Sequence, residues 1–208
     1  MAVLLVTPIL ILFYTAYQSY IRTVAALQAS ESRFRSSFDY ATIGMGIVSP
    51  EGNWIQVNKS LQDILQFTEE EFLNSNYQNV IHPDNLPEVV KETEKLVNGK
   101  IPAFQFETRL LDKTGDDVWV TLGASTALDS DNKIRHLIFQ IQDITSRKSA
   151  EEKLWFDANH DALTGLPNRA SFQEFLDNLI TGKKTYENPL FAVLFLDLDG
   201  FKMVNDSL

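Results

Sequence analysis

The chain opens with a long stretch of uncharged, mostly apolar positions. From Met1 to Ile21 no side chain carries a charge, and about twenty such residues suffice to cross the hydrocarbon layer of a membrane. Tyrosines follow where an interfacial aromatic belt falls, and Arg22 is the first cation. The pattern predicts a membrane-spanning helix at 1–21 in the inner (cytoplasmic) membrane, with the rest of the chain on the cytoplasmic side.

Residues 22–35 are predicted to continue as a juxtamembrane helix. Apolar residues with three-four spacing follow in this order: Val24, Leu27, Phe34 and Phe38. Glu31 places one charge within this stripe. Two interpretations stay open: a single amphipathic helix that lies on the next domain, and a short parallel coiled coil that pairs two copies of the chain.

A middle segment, at 36–146, changes to a strand-like period. Alternating residues on both sides of a Ser-Pro-Glu-Gly turn at 49–52 predict a hairpin. Three longer alternating stretches, near 104–110, 118–124 and 137–141, predict three further strands. Two strands, several short helices and three strands indicate an α+β fold, in which an antiparallel sheet carries helices on one face and encloses a natural inner cavity.

Two helix starts within this segment are predicted from paired capping residues. Thr68 with Glu71, and Asn85 with Glu88, have the spacing at which a side chain at the helix start and a carboxylate three residues later satisfy each other's backbone N–H groups. Each pair therefore marks the first turn of a helix.

A further helix is predicted at 147–160, directly after the last strand. Asp143 and Thr145 stand at this transition, where either side chain can cap free backbone N–H groups. We expect the helix to be a stiff element that carries a rearrangement from one domain to the next, with Asp143 and Thr145 as residues of signal transmission. A plain linker is the alternative.

The last stretch, 161–208, combines a helix with a buried strand. An amphipathic helix is predicted at 171–180, and the continuous apolar run at 190–196 is typical of a strand buried on both faces. Asp197 and Asp199 follow the strand. An aspartate at a strand end is a usual ligand of Mg²⁺, which keeps company with substrate phosphates.

Composition excludes several classes of function. The formal net charge of −10 argues against nucleic-acid binding, which needs clustered Lys and Arg. Cysteine is absent, which excludes disulfides, thiolate metal sites and thiol nucleophiles. The three histidines lie far apart in sequence and form no helical ligand pair.

The middle segment resembles the PAS sensor domain of the S-box type. The resemblance covers the whole segment and rests on several short motifs: Pro50-Glu51-Gly52-Asn53, Asn58 before a helix, Ile81-His82-Pro83-Asp84, Gly115 before Trp119-Val120, and Asp143-Ile144-Thr145. Relatives that form a flavin adduct need a cysteine, and haem-binding relatives need a histidine on the long helix; this chain has neither. The ligand is therefore unknown: a small organic molecule, a non-covalent flavin and an empty, dimerising domain all stay open.

The last stretch resembles the GGDEF family of diguanylate cyclases, which condense two GTP molecules into cyclic di-GMP. Two motifs carry the resemblance, DALTGLPNR from Asp161 and LDLDGFKMVND from Leu196. The resemblance implies an incomplete α/β ferredoxin-like domain whose cofactor is Mg²⁺ and whose substrate is GTP. The implied site residues are Asp197 and the backbone carbonyl of Leu198 for the metal, Phe201 and Lys202 for the triphosphate, and Asn205 for guanine.

The chain departs from this family at Leu208, where it ends before the Gly-Gly-acid-Glu-Phe hairpin. No catalytic set is complete, and we expect this fragment to be inactive alone. The leading interpretation is a membrane-anchored signalling protein, expected to be a homodimer, in which a PAS sensor controls a diguanylate cyclase. The alternatives are a non-catalytic PAS sensory or dimerisation module with a vestigial cyclase remnant, and a larger enzyme that also carries a phosphodiesterase domain.

Overall fold

The computed structural model describes residues 3–129, 131, 133–181, 192–196 and 199. The chain divides into two compact units, one up to Ala150 and one from Glu151 onward. In chain order the helices and strands are α1 (Val3–Asp39), β1 (Gly44–Val48), β2 (Trp54–Val57), α2 (Lys59–Leu65), α3 (Glu69–Leu73), a short 3₁₀ helix (Tyr77–Val80), α4 (Leu86–Val97), β3 (Ala103–Leu111), β4 (Asp117–Leu128), β5 (Ile134–Asp143), α5 (Thr145–Asn159) and α6 (Arg169–Ile180).

One antiparallel sheet forms the centre of the first unit, with the strand order β2-β1-β5-β4-β3. The predicted hairpin is confirmed: β1 pairs with β2, and the Ser49 N–H donates to the carbonyl oxygen of Asn53 at 2.8 Å. The three longer predicted strands are confirmed as β3, β4 and β5. Because the first hairpin inserts beside the last strand, β5 lies in the middle of the sheet and leads directly into α5.

Helices α2, α3 and α4 contact the sheet, and their apolar side chains complete the core. Buried residues come from both layers, among them Leu61 and Leu65 of α2, Leu96 of α4 and Phe139 of β5. The predicted α+β class with helices packed on a sheet is therefore confirmed for this unit.

Of the two predicted helix caps, one is present in the structure and the other is not. At α3 the Thr68 hydroxyl accepts from the Glu71 N–H at 3.3 Å and the Glu71 carboxylate accepts from the Thr68 N–H at 2.8 Å, so the predicted capping box is confirmed. At α4 the predicted cap is wrong, since the Asn85 side chain makes no capping hydrogen bond. Its amide oxygen instead accepts from Nε of Arg109 on β3, at 3.3 Å.

The first helix corrects the prediction of a membrane-spanning segment. α1 is one helix of 37 residues, which also contains the predicted juxtamembrane helix. Within the part of the chain that the structure describes, no helix combines the length and the apolar character that crossing a membrane requires. Polar residues such as Gln18 and Arg22 interrupt the apolar run too early. The membrane-spanning helix at 1–21 and the inner-membrane localisation were wrong predictions, and the membrane as a partner gains no support from the described residues.

The second unit contains the end of α5 and the whole of α6. α6 spans the predicted amphipathic helix, and the Asn168 side chain caps it by accepting from the Ser171 N–H at 3.1 Å. Of the strand predicted at 190–196, residues 192–196 are described and form no strand. A strand needs a neighbour for its ladder hydrogen bonds, and no described strand pairs with this segment.

Candidate functional site: the junction of sheet and exit helix

The chain passes from β5 to α5 at Asp143, Ile144 and Thr145. The Asp143 carboxylate accepts from the Thr145 N–H at 2.8 Å, which satisfies one of the free donors at the start of α5. Ile144 is buried at 6% exposure. The turn is thus stabilised by the hydrogen bond between Asp143 and Thr145 and by the burial of Ile144. α5 begins at Thr145, two residues before the start that the sequence pattern predicts.

The side-chain hydroxyl of Thr145 forms hydrogen bonds with strand β4 rather than with the backbone of its own helix. Its hydroxyl accepts from the backbone N–H of Trp119 at 3.1 Å and donates to the Trp119 carbonyl oxygen at 3.4 Å. The Ile144 N–H donates to the same carbonyl at 2.8 Å. Both backbone polar groups of Trp119 are therefore used to attach the first residue of α5 to β4.

Glu107 on β3 forms a second link between the sheet and the first turn of α5. Its carboxylate accepts from Nη2 of Arg147 and from Nζ of Lys148, each at 2.6 Å. Cations at a helix N-terminus are unfavourable, because the positive end of the helix dipole lies there. Glu107 offsets this repulsion, and the hydrogen bond from Lys148, followed by that from Arg147, lowers the pKa of the Glu107 carboxyl below its usual value.

The indole of Trp119 joins this junction to the loop before α4. Nζ of Lys148 lies 5.2 Å and Cζ of Arg109 lies 5.8 Å from the ring centre, within cation–π range. The guanidinium of Arg109 also donates to Asp84 at 2.8 Å and to Asp117 at 3.1 Å. We name Glu107, Arg109, Trp119, Thr145 and Lys148 the exit junction.

The exit junction gives α5 a defined position on the sheet. β3 contributes a carboxylate, β4 contributes backbone groups and an aromatic face, and β5 continues into the helix. The first turn of α5 is therefore bonded to β3 and β4 and is continuous with β5. In chemical terms the arrangement positions a helix; its members form no nucleophile and base pair.

Sequence reasoning found Asp143 and Thr145 here but missed Glu107 and Arg109. Their signal was available: both alternate with the inward-facing Thr108 and Leu110, so they lie on the outer face of β3. Adjacent basic residues at Arg147-Lys148 were the complementary half of that signal.

The inner cavity of the sheet is nearly filled by aromatic side chains. Trp54 lies 5.4 Å from Phe72 and 6.0 Å from Phe139, and Tyr77 stacks on Phe139 at 5.3 Å, measured between ring centres. The space that these side chains enclose with their neighbours is about 10 Å³. Pockets for small organic molecules measure about 300 Å³ or more. The predicted natural cavity is thus occupied by the protein's own rings.

His82 lies in the turn that precedes α4. Its Nδ1 accepts from the Asp84 N–H at 3.2 Å, and its backbone N–H donates to the Arg109 carbonyl at 3.1 Å. These bonds fix the loop before α4 to β3.

In the second unit, Asp161 organises the segment between α5 and α6. Its Oδ1 accepts from the Thr164 hydroxyl at 2.9 Å and from the backbone N–H groups of Leu163 and Thr164 at 3.2 and 3.0 Å. Hydrogen bonding to Thr164 lowers the pKa of the Asp161 carboxyl. Asn168 also donates to the carbonyl oxygen of Ala158 at 2.7 Å, which ties the start of α6 to the end of α5.

The predicted metal and substrate residues, Asp197, Leu198, Phe201, Lys202 and Asn205, lie outside the described residues. Within the described ranges no group of three or more His, Asp or Glu side chains is placed to hold a metal ion.

Comparison with known proteins assigns both units to families. Residues 42–146, about half of the chain, match the PAS domain family. Residues 158–208 match the family described as diguanylate cyclase, GGDEF domain.

Two curated relatives and one solved structure give the extent of the likeness. The "Probable diguanylate cyclase DgcE" of Escherichia coli is 34% identical over 61% of this chain and 11% of that protein. The bifunctional diguanylate cyclase/cyclic di-GMP phosphodiesterase MucR of Pseudomonas aeruginosa is 46% identical over 30% of this chain and 9% of that protein. The chain thus spans about a tenth of the length of either relative.

The crystal structure of a PAS domain from Colwellia psychrerythraea aligns with a TM-score of 0.52 at 18% identity, covering 56% of this chain and 98% of that one. At this identity the likeness is one of fold.

Proposed function

The chain belongs to the PAS domain family and continues into a GGDEF domain, and on this premise we propose that its PAS domain controls the formation of cyclic di-GMP from two molecules of GTP. The PAS domain is the sensor, and α5 is the element through which its state reaches the cyclase domain. The product and the reaction come from the GGDEF match and from the names of the relatives.

One observation carries the proposal. α5 (Thr145–Asn159) is a single uninterrupted helix that begins within the residues matching the PAS family and ends within those matching the GGDEF family. A helix is stiff over this length, so a change at its first turn alters the position of its last turn. The exit junction fixes that first turn to the three strands of the sensor.

The chemistry of the second unit is part of the same proposal. Asp197 and the Leu198 carbonyl would hold Mg²⁺, which when bound supplies positive charge at the phosphates of GTP. Phe201 and Lys202 would face the triphosphate, where the lysine acts as a point charge. Asn205 would contact guanine, since its amide both donates and accepts. Two copies of the chain would have to meet, because the reaction joins two GTP molecules.

The experiment is the formation of cyclic di-GMP from GTP by the full-length protein that contains this chain, measured by chromatography with mass detection. We expect product from the wild-type protein and its loss in the Asp197→Asn variant. Asp177→Asn, an exposed aspartate on α6, is the matched control and should retain activity. A wild-type protein that binds no GTP and forms no product would instead favour the non-catalytic sensory or dimerisation module.

A further inference from the structure

The imidazole of His82, in the loop before α4, lies between two carboxylates. Its side chain is only 20% exposed. Nδ1 of the ring lies 3.6 Å from Oδ2 of Asp84, and Nε2 lies 3.6 Å from Oδ1 of Asp117 on β4. Each nitrogen of the ring therefore faces its own acid, and the two acids belong to different elements of the domain.

Both carboxylates are shared with the guanidinium of Arg109 on β3. Oδ2 of Asp84 accepts from Nη2 of Arg109 at 2.8 Å, and it is the same oxygen that faces His82. Asp117 uses its two oxygens separately: Oδ2 accepts from Nη1 of Arg109 at 3.1 Å, while Oδ1 faces Nε2 of His82. His82 and Arg109 thus compete for one oxygen and are bridged by a second carboxylate.

The hydrogen bond at Nδ1 defines where a further proton on His82 would bind. Nδ1 accepts from the Asp84 N–H at 3.2 Å, so the single proton of the neutral ring lies on Nε2. A second proton can then be added only at Nδ1. This bond is lost when it binds, because the nitrogen now donates, and the Asp84 carboxylate is the acceptor that faces it.

A second proton on His82 also balances the charge of this cluster. With a neutral ring, two carboxylates face one guanidinium, whereas with a charged ring they face two cations. Glu88, the acid in the first turn of α4, is exposed and forms no ion pair within the described part of the chain. Histidine is the side chain whose charge ordinarily changes between about pH 5 and 8.

We propose that His82 is a proton-binding site of the sensor and that its charge is transmitted to the exit junction through Asp117 and Arg109. Asp117 precedes Trp119 by two residues on β4, and Cζ of Arg109 lies 5.8 Å from the centre of the Trp119 ring. A charged His82 attracts the carboxylates that bind Arg109, so the contact of Arg109 with this ring changes. The proposal names the proton as a signal of the sensor, and in that respect it rests on the proposed function.

The test is an NMR titration of the 208-residue chain between about pH 5 and 8, which observes the imidazole of His82 and the indole N–H of Trp119. His82→Asn is the first variant, because its side-chain oxygen can replace Nδ1 as acceptor of the Asp84 N–H and carries no charge at any pH. His136→Gln, at another histidine of the same domain, is the matched control. Circular dichroism checks that each variant is folded.

We expect the Trp119 signal of the wild-type chain to shift with the same midpoint as the His82 signal. The shift should be lost in His82→Asn and should keep its wild-type size in His136→Gln. Asp117→Asn should leave the titration of His82 visible and reduce the shift at Trp119 several-fold, since the bridge to Arg109 is removed. A His82 signal that does not titrate in this range, a Trp119 signal that does not follow it, or an undiminished shift in folded His82→Asn or Asp117→Asn would each overturn the proposal.

A second measurement follows the proton to the output of the full-length protein. Formation of cyclic di-GMP by His82→Asn is divided by that of the wild-type protein at about pH 6 and at about pH 8, so that the pH dependence of the reaction itself cancels. We expect the two ratios to differ several-fold; equal ratios would overturn transmission from His82. A protein that forms no cyclic di-GMP at either pH contradicts the proposed function instead, and the NMR titration still decides whether His82 acts on Trp119.

Discussion

The hydroxyl of Thr145 binds both backbone polar groups of Trp119, accepting from its N–H at 3.1 Å and donating to its carbonyl oxygen at 3.4 Å. The two residues belong to different elements, the exit helix and strand β4. Their contact bonds the first residue of the exit helix to a strand other than β5, from which that helix continues.

Replacement of Thr145 by Val keeps the shape of the side chain and removes both hydrogen bonds. We expect the free energy of unfolding of the sensor to fall by about 1 kcal/mol, because the Trp119 N–H loses its acceptor. Hydrogen exchange at the Trp119 amide should become faster. Thr145→Ser, which keeps the hydroxyl, is the control and should exchange at nearly the wild-type rate; equal rates in both variants would contradict the assignment.

Asn58 links the end of α1 to the sheet domain in a similar way, through side-chain hydrogen bonds to the backbone. Its side chain is fully buried and makes four hydrogen bonds: it accepts from the backbone N–H groups of Met45 and Leu61, at 2.8 and 2.9 Å, and donates to the carbonyls of Phe38 and Ile43, at 3.0 and 2.9 Å. Asn58→Ala leaves these backbone groups without partners. We expect a loss of about 2 kcal/mol or more in denaturant unfolding.

Asn58→Asp tests the donor half of the same set of bonds. The aspartate can still accept from the N–H groups of Met45 and Leu61, but an oxygen replaces the NH₂ group that donates to the carbonyls of Phe38 and Ile43. We therefore expect the variant to be less stable than the wild-type protein in denaturant unfolding. Asn98→Asp, at the exposed end of α4, loses its donor to the Glu94 carbonyl in contact with water and should lose less stability; equal losses in the two variants would contradict the role of Asn58.

Gly46 makes room for the indole of Trp54. A β-carbon added at Gly46 would lie 2.2 Å from a ring atom of Trp54, whereas one added at Gly123 would meet nothing closer than 3.8 Å. We expect Gly46→Ala to destabilise the domain by about 1–3 kcal/mol through overpacking and to change tryptophan fluorescence. Gly123→Ala should leave the free energy of unfolding nearly unchanged; an equally tolerant Gly46 would show that Trp54 is not held against it.

The Glu71 carboxylate should account for part of the loss of folding stability that the domain shows at acid pH. A hydrogen bond from Lys113, together with the Thr68 N–H, lowers the pKa of its carboxyl from 4.5 to about 2. The stabilisation is present above the unfolded-state pKa and is lost as the pH falls from about 4.5 toward 2. In acid titrations, Glu71→Gln should lose less stability than the wild-type protein in that range. Glu70→Gln, next in sequence, should follow the wild-type curve; identical curves for Glu71→Gln and wild type would contradict the shift.

Local chemistry made much of the fold predictable. The Thr68–Glu71 cap and the hairpin at 49–52 depend on residues close in sequence, so their pattern determined them. Asn85 failed as a predicted cap because Arg109, distant in sequence, binds its side chain instead. Alternation indicates the face of β3 on which Glu107 lies, but it does not pair Glu107 with Arg147 and Lys148, since β3 and α5 meet only after the sheet has formed.

The first helix shows that an uncharged composition alone does not predict a membrane-spanning helix. An uncharged run at 1–21 predicted a membrane span, but the helix that the structure describes is not apolar enough for that purpose. The three-four spacing of Val24, Leu27, Phe34 and Phe38 agrees with the continuous helix α1.

The most direct test of the central claim is the insertion of residues into α5 after Ala150 of the full-length protein. One added residue rotates the following helix by about 100°, whereas seven added residues restore its orientation to within about 20°. We predict that the single insertion changes cyclic di-GMP formation several-fold and that the seven-residue insertion leaves it near the wild-type level. Equal formation of cyclic di-GMP by the two insertion variants would contradict control through α5.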